Sequence, residues 1–113
     1  MAVFMGAFPV LPGKSDDGRK FAQETMGRAQ DFAAAQKRGA ITSEEWSLQE
    51  TPMGALVLVR FECDDVEKAF ATLAQSTNEF DVWFRGRVLD ITGVDLATPS
   101  DAAPPEIILD WSA

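Results

Sequence analysis

Apolar and polar residues follow two different periods along this chain. Between Val3 and Leu11, Val3, Met5 and Ala7 fall on one side of an extended chain and Phe4, Phe8 and Val10 on the other. That pattern predicts a strand, stopped by Pro12-Gly13. Phe21, Thr25, Ala29, Phe32 and Ala33 then recur at helical spacing and predict a helix over Ser15–Arg38. Ser15 is its expected N-cap, Asp16 and Asp17 sit in the first turn, and Gly39 stops it after Lys37-Arg38. Strand patterning returns over Ile41–Glu50 and Ala55–Cys63, joined by Thr51-Pro52-Met53-Gly54, whose Pro and Gly suit a type I turn. Asp64 or Asp65 is placed to cap a second helix, Val66–Gln75, with Val66, Phe70 and Leu73 on one face. After a loop over Ser76–Glu79, Phe84, Val88 and Ile91 align on a helix over Phe80–Thr92, with Asp81 as a capping carboxylate and Gly93 as its end. Ala97–Pro105, with three prolines, reads as a connector, and Glu106–Trp111 as a final short strand.

This order predicts an α+β fold of the ferredoxin-like βαββαβ type, with an extra helix and an antiparallel four-stranded sheet covered by helices on one face. One domain spanning residues 1–113 accounts for the length. A sheet covered on one side should alternate apolar and polar residues, yet these strands carry apolar residues on both faces. Val57, Val59 and Phe61 oppose Leu56 and Leu58, and Ile107, Leu109 and Trp111 oppose Ile108. The uncovered face would expose several hundred Å² of apolar surface, more than a soluble monomer ordinarily shows. The expectation is a homodimer with two sheets packed face to face. The alternative is a monomer whose second face is covered by the Ala97–Pro105 segment.

A two-residue loop at Pro52-Met53 sets the hairpin register, placing Trp46 opposite Val59 and Leu48 opposite Val57 on the face under the helices. The other face then carries Glu45 opposite Arg60, Ser43 opposite Glu62 and Ser47 opposite Leu58. A mixed polar and apolar surface suits a small-molecule cavity, and Glu45 with Arg60 is the candidate polar pair in it. If there is catalysis, Glu45 is the acid–base candidate, with Arg60 and burial setting its pKa. The bland reading of Glu45 and Arg60 is a cross-strand ion pair of modest energy. Trp83 is the candidate substrate wall, against a packing role in the core.

Composition narrows the chemistry. The chain has no His, no Tyr and one Cys, which removes intrachain disulfides, Cys/His zinc sites, histidine haem ligation and imidazole-based triads. Cys63 has acidic neighbours, which disfavour a thiolate, so it reads as structural. The net charge of −8 disfavours nucleic acid and anionic membranes as partners, and no apolar run reaches the length of a membrane helix. The apolar N-terminus lacks the basic residues of a leader and reads as a strand, so the cytoplasm is the expected compartment. No metal or cofactor is expected.

Gly13-Lys14-Ser15 lies between a strand and a helix, as in a phosphate-binding loop, but Phe8 stands where that pattern needs Gly, and Pro12 lacks an N–H. Lys14 remains a candidate for holding an anionic group at the helix start, against an ordinary surface lysine.

With these elements in place, the chain resembles the dimeric α/β barrel superfamily, which includes antibiotic-biosynthesis-type monooxygenases. The likeness rests on Pro12-Gly13-Lys14 before a helix with Arg19 and Phe21, on Glu45-Trp46, on Phe80-Asp81-Val82-Trp83-Phe84, on Gly93-Val94-Asp95-Leu96, and on Pro105-Glu106 with Asp110-Trp111. Within the superfamily it is most similar to small bacterial members of unassigned function. The resemblance implies a barrel-like homodimer with a cavity in each subunit that binds a small organic molecule. It also implies either cofactor-independent monooxygenase-like or isomerase-like chemistry, or a non-catalytic structural or ligand-sensing role. The absence of His argues against the haem-binding branches. Trp83, Asn78 and Arg85 are residue types that the cofactor-free oxygenases use, but their spacing does not match, so those roles are not transferred.

Overall fold

The computed structural model describes residues 1–98 and 105–113. Its elements run β1 (Ala2–Pro9), α1 (Ser15–Gly27), α2 (Ala29–Arg38), β2 (Ile41–Thr51), β3 (Gly54–Cys63), α3 (Val66–Gln75) and α4 (Glu79–Thr92). The three strands form one antiparallel sheet in the order β1-β3-β2, and the fold is α+β and compatible with a ferredoxin-like arrangement. No helix among the described residues is long and apolar enough to cross a membrane.

The hairpin adopts the expected register. Thr51 pairs with Gly54, Leu48 with Val57, Trp46 with Val59 and Glu45 with Arg60. The tight loop explains it: fixing the Thr51–Gly54 pair leaves one register for every residue outward. The Thr51 hydroxyl closes the turn, donating to the Gly54 carbonyl at 2.7 Å and accepting from the Met53 N–H at 3.1 Å. A register shift between Ile41 and Ser43 lets Ile41 pair with Cys63 while Ser43 still meets Glu62.

Two expected elements differ. The helix foreseen over Ser15–Arg38 is two helices, broken at Arg28, whose φ of −102° and ψ of 47° leave the helical region. Gly27 weakens the helix there, and the buried Thr25 hydroxyl takes the Phe21 carbonyl at 2.8 Å, a bond that bends helices. The Arg28 side chain secures the break. It pairs with Glu79 at 2.6 Å and lies 4.9 Å from the ring centroids of both Phe80 and Trp83. Ser15 opens α1 but does not cap it; Lys14 occupies the cap position without a side-chain bond.

The four-stranded sheet is also corrected to three strands among the described residues, because Glu106–Trp111 pairs with nothing. Alternating apolar residues make a segment suited to a strand, but a strand exists only when another edge satisfies its backbone, and the tail pairs with neither outer edge of this sheet. Ile107, Ile108, Leu109 and Trp111 stand 73–88% exposed.

Burial along β1 alternates strictly, with Phe4 and Phe8 turned to the helices and Val3 and Met5 to the open face. Val10, Phe21, Val88 and Ile91 form one buried cluster, with Trp46, Leu48 and Val57 packed on it. Phe61, Cys63 and Ala69 form a second, joined by Phe4 and Phe70. Asp65 caps α3 by accepting from the Lys68 N–H at 3.1 Å. Gly93 ends α4 in the left-handed conformation at φ 75°, as a helix-stopping glycine should.

Candidate functional site

Between the sheet and the helices lies a cavity of about 130 Å³. Its walls are aromatic: Phe21, Phe32, Trp46, Phe61, Phe70 and Phe84 come from both sides. Phe21 stacks on Trp46 at 5.4 Å, and Phe4 on Phe61 at 5.0 Å, so the rings hold one another in place.

Polar groups enter this lining at Gln36, Arg38, Glu44, Thr72, Asp81 and Thr92, whose hydroxyl donates to the Val88 carbonyl at 2.7 Å. Asp81 lies in the first turn of α4, where the positive end of the helix favours a carboxylate. Its position predicts a helix cap. Instead Asn78 caps α4, accepting from the Phe80 N–H at 3.0 Å, and Asp81 is buried at 3% exposure. The physical reason is helical phase. Asp81, Phe84, Val88 and Ile91 are spaced three and four apart, so the carboxylate falls on the apolar stripe that faces the sheet.

Arg38, the last residue of α2, meets Asp81 through one carboxylate oxygen. Its Nη2 and Nε donate to Oδ2 at 2.8 and 3.2 Å. The other oxygen, Oδ1, is buried with no hydrogen-bond partner among the described residues. Nearby, Glu44 accepts from Trp46 Nε1 at 2.6 Å and from Gln36 Nε2 at 2.9 Å, so both its oxygens are engaged. The cavity thus offers an aromatic enclosure with a buried carboxylate in its wall, one of whose oxygens has no hydrogen-bond partner among the described residues. Such a site favours a flat apolar group that carries a hydrogen-bond donor.

The residues singled out from sequence do not converge. Glu45 is exposed on the open face, opposite Arg60 as the register requires. The Arg60 guanidinium turns to Glu62, donating at 2.7 Å, and holds that carboxyl below the usual carboxylate range, with Ser43 as a lesser donor. Trp83 belongs to the helical layer on the other side of the sheet, 5.5 Å from both Phe21 and Phe80, and outside the cavity lining. Lys14 stands at the start of α1, with Asp90 at 3.6 Å and Asp17 at 3.7 Å. Cys63 is buried, and burial pushes its thiol pKa up, in keeping with a structural role.

Sequence reasoning missed Asp81, Arg38 and Glu44. Asp81 carried a readable signal, a lone carboxylate in phase with Phe84, Val88 and Ile91. Arg38 and Glu44 carried none, because a basic residue ending a helix and an acid in a strand are ordinary. No protein-family model, no curated protein and no solved structure matches this chain.

Proposed function

We propose that this protein binds a small aromatic molecule bearing one hydrogen-bond donor in the cavity beneath its helices, and does so as a homodimer. The unpartnered Oδ1 of buried Asp81 carries the ligand reading. Leaving a buried polar atom unpaired costs about 1–3 kcal/mol, and a ligand donor at Oδ1 recovers it. The volume supports a guest of one ring. A dry cavity near 150 Å³ accepts benzene, and this one measures about 130 Å³. A donor such as a phenolic hydroxyl then adds about 1.5 kcal/mol, or roughly tenfold in affinity, over the plain ring.

The homodimer is supported by the open sheet face, where Val3 and Met5 are exposed on β1 and Leu58 is exposed on β3 opposite Ala7, one pair along from Met5 on the same face. In that assembly Glu45 and Arg60 face the partner.

Phenol and benzene test the ligand reading in a thermal-unfolding titration. Phenol should raise the midpoint saturably, and benzene should need about ten times the concentration for the same rise. In Asp81→Asn the amide oxygen keeps Arg38 and an N–H₂ replaces the charged acceptor, leaving only a neutral contact to the phenol oxygen, so the phenol advantage should shrink. Equal responses to both probes, or none, would discard the reading in favour of a filled structural module.

A further inference from the structure

The tail Glu106–Trp111 and the outer edge of β1 are each incomplete in a way the other would complete. β1 pairs on one side only, with β3, so its other edge has no ladder partner among the described residues. The tail makes no backbone hydrogen bond among the described residues and exposes Ile107, Ile108, Leu109 and Trp111. A free edge beside an apolar unpaired segment invites uncontrolled association unless something closes it. Reciprocal exchange in a two-fold dimer closes both, because each copy gives a tail and receives one.

The chain's own path makes its refusal of its own edge informative. Leu11 donates its N–H to the Ile91 carbonyl at 2.8 Å, so the end of α4 lies beside the end of β1. Leu96 packs on the cluster that contains Val10. From Thr98, residues 99–105 can span at most about 23 Å. The tail stands clear of that edge. Burying the four large side chains of both tails removes on the order of 1,000 Å², near the lower size of a specific interface before the sheet faces are added.

We infer that Glu106–Trp111 is an exchanged strand that pairs antiparallel with the β1 edge of a second copy of this chain. This rests on the homodimer reading and is independent of the cavity's ligand. The pairing restores the fourth strand at the position next to β1, in the order tail-β1-β3-β2, with the tail supplied by the partner. Ile107, Leu109 and Trp111 then share one face and Ile108 and Asp110 the other.

Co-expression of two differently tagged chains tests it, both carrying Cys63→Ala. One carries Met5→Cys. The other carries Ile107→Cys, Ile108→Cys, Leu109→Cys, Asp110→Cys or Trp111→Cys in turn, so one of them falls opposite Met5 in whichever register the pair adopts. Exchange predicts a mixed-tag disulfide dimer under mild oxidation, at twice the chain mass on a non-reducing gel. It also predicts that Ile107→Ser/Leu109→Ser/Trp111→Ser shifts the chain from dimer to monomer in light scattering while the helical circular dichroism signal is retained. A single chain carrying both cysteines that closes on itself would overturn exchange. A dimer that survives the tail substitutions without mixed disulfide would overturn exchange and leave sheet pairing standing. A monomer for the native chain would overturn both.

Discussion

Arg38→Met isolates the energetic weight of the buried carboxylate. Asp81 receives two N–H bonds from Arg38, at 2.8 and 3.2 Å, and no other bond among the described residues. Removing one partner of a buried ion pair typically costs 3–5 kcal/mol, because the other charge is left uncompensated. Here the Arg38 side chain is 33% exposed while Asp81 is 4% exposed, so water already screens part of the attraction. The expected loss is therefore about 2 kcal/mol. Urea unfolding followed by circular dichroism reads it. With a slope near 1.5 kcal/mol/M for a chain of this size, the midpoint should fall by about 1.3 M at constant slope. The companion variant Arg38→Met/Asp81→Leu should regain at least about 1 kcal/mol, since replacing both charges with apolar groups removes the stranded carboxylate. If Arg38→Met stays within about 0.5 kcal/mol of the native chain, or the double variant is less stable still, Asp81 is not desolvated as described.

Other expectations follow from single sites. Phe21→Ala removes a ring in contact with Trp46, Trp83 and Phe84 and should cost about 3–5 kcal/mol in the same urea assay. Gly93→Ala places a side chain at φ 75°, where its Cβ meets Leu11 only at ordinary contact distance, so backbone strain dominates and about 1 kcal/mol should be lost in thermal unfolding. Glu62 should titrate below the usual carboxylate range by carbon-detected NMR and return toward it in Arg60→Gln. Because folding lowers that pKa, its contribution to stability is present above the unfolded carboxylate value and is lost as pH falls through the lowered one.

The sheet was legible wherever a local device set it. The Pro52-Met53 loop pinned the pairs from Thr51–Gly54 to Glu45–Arg60, and alternation then chose the helix-side face. The break at Arg28 was not legible, because the groups that hold it, Glu79, Phe80 and Trp83, lie some fifty residues away. The tail shows the limit of pattern reading. Ile107, Leu109 and Trp111 alternate as a strand should, but alternation describes a segment and says nothing of which edge receives it. The candidate site was hidden for a related reason. Glu45 and Arg60 were visible as a pair because the hairpin aligns them, whereas Asp81 and Arg38 meet only when α4 packs against α2. Asp81 near a helix start looks like a cap until its phase with Phe84 and Ile91 is counted.

Chemical-shift mapping with phenol on the isotope-labelled native chain tests the ligand site most directly. The account predicts saturable shifts at Phe80, Asp81 and Phe84, weaker shifts with benzene, and little change at Met5 and Leu58 on the open face. Shifts confined to Met5 and Leu58, or no saturable shift at Asp81, would contradict it.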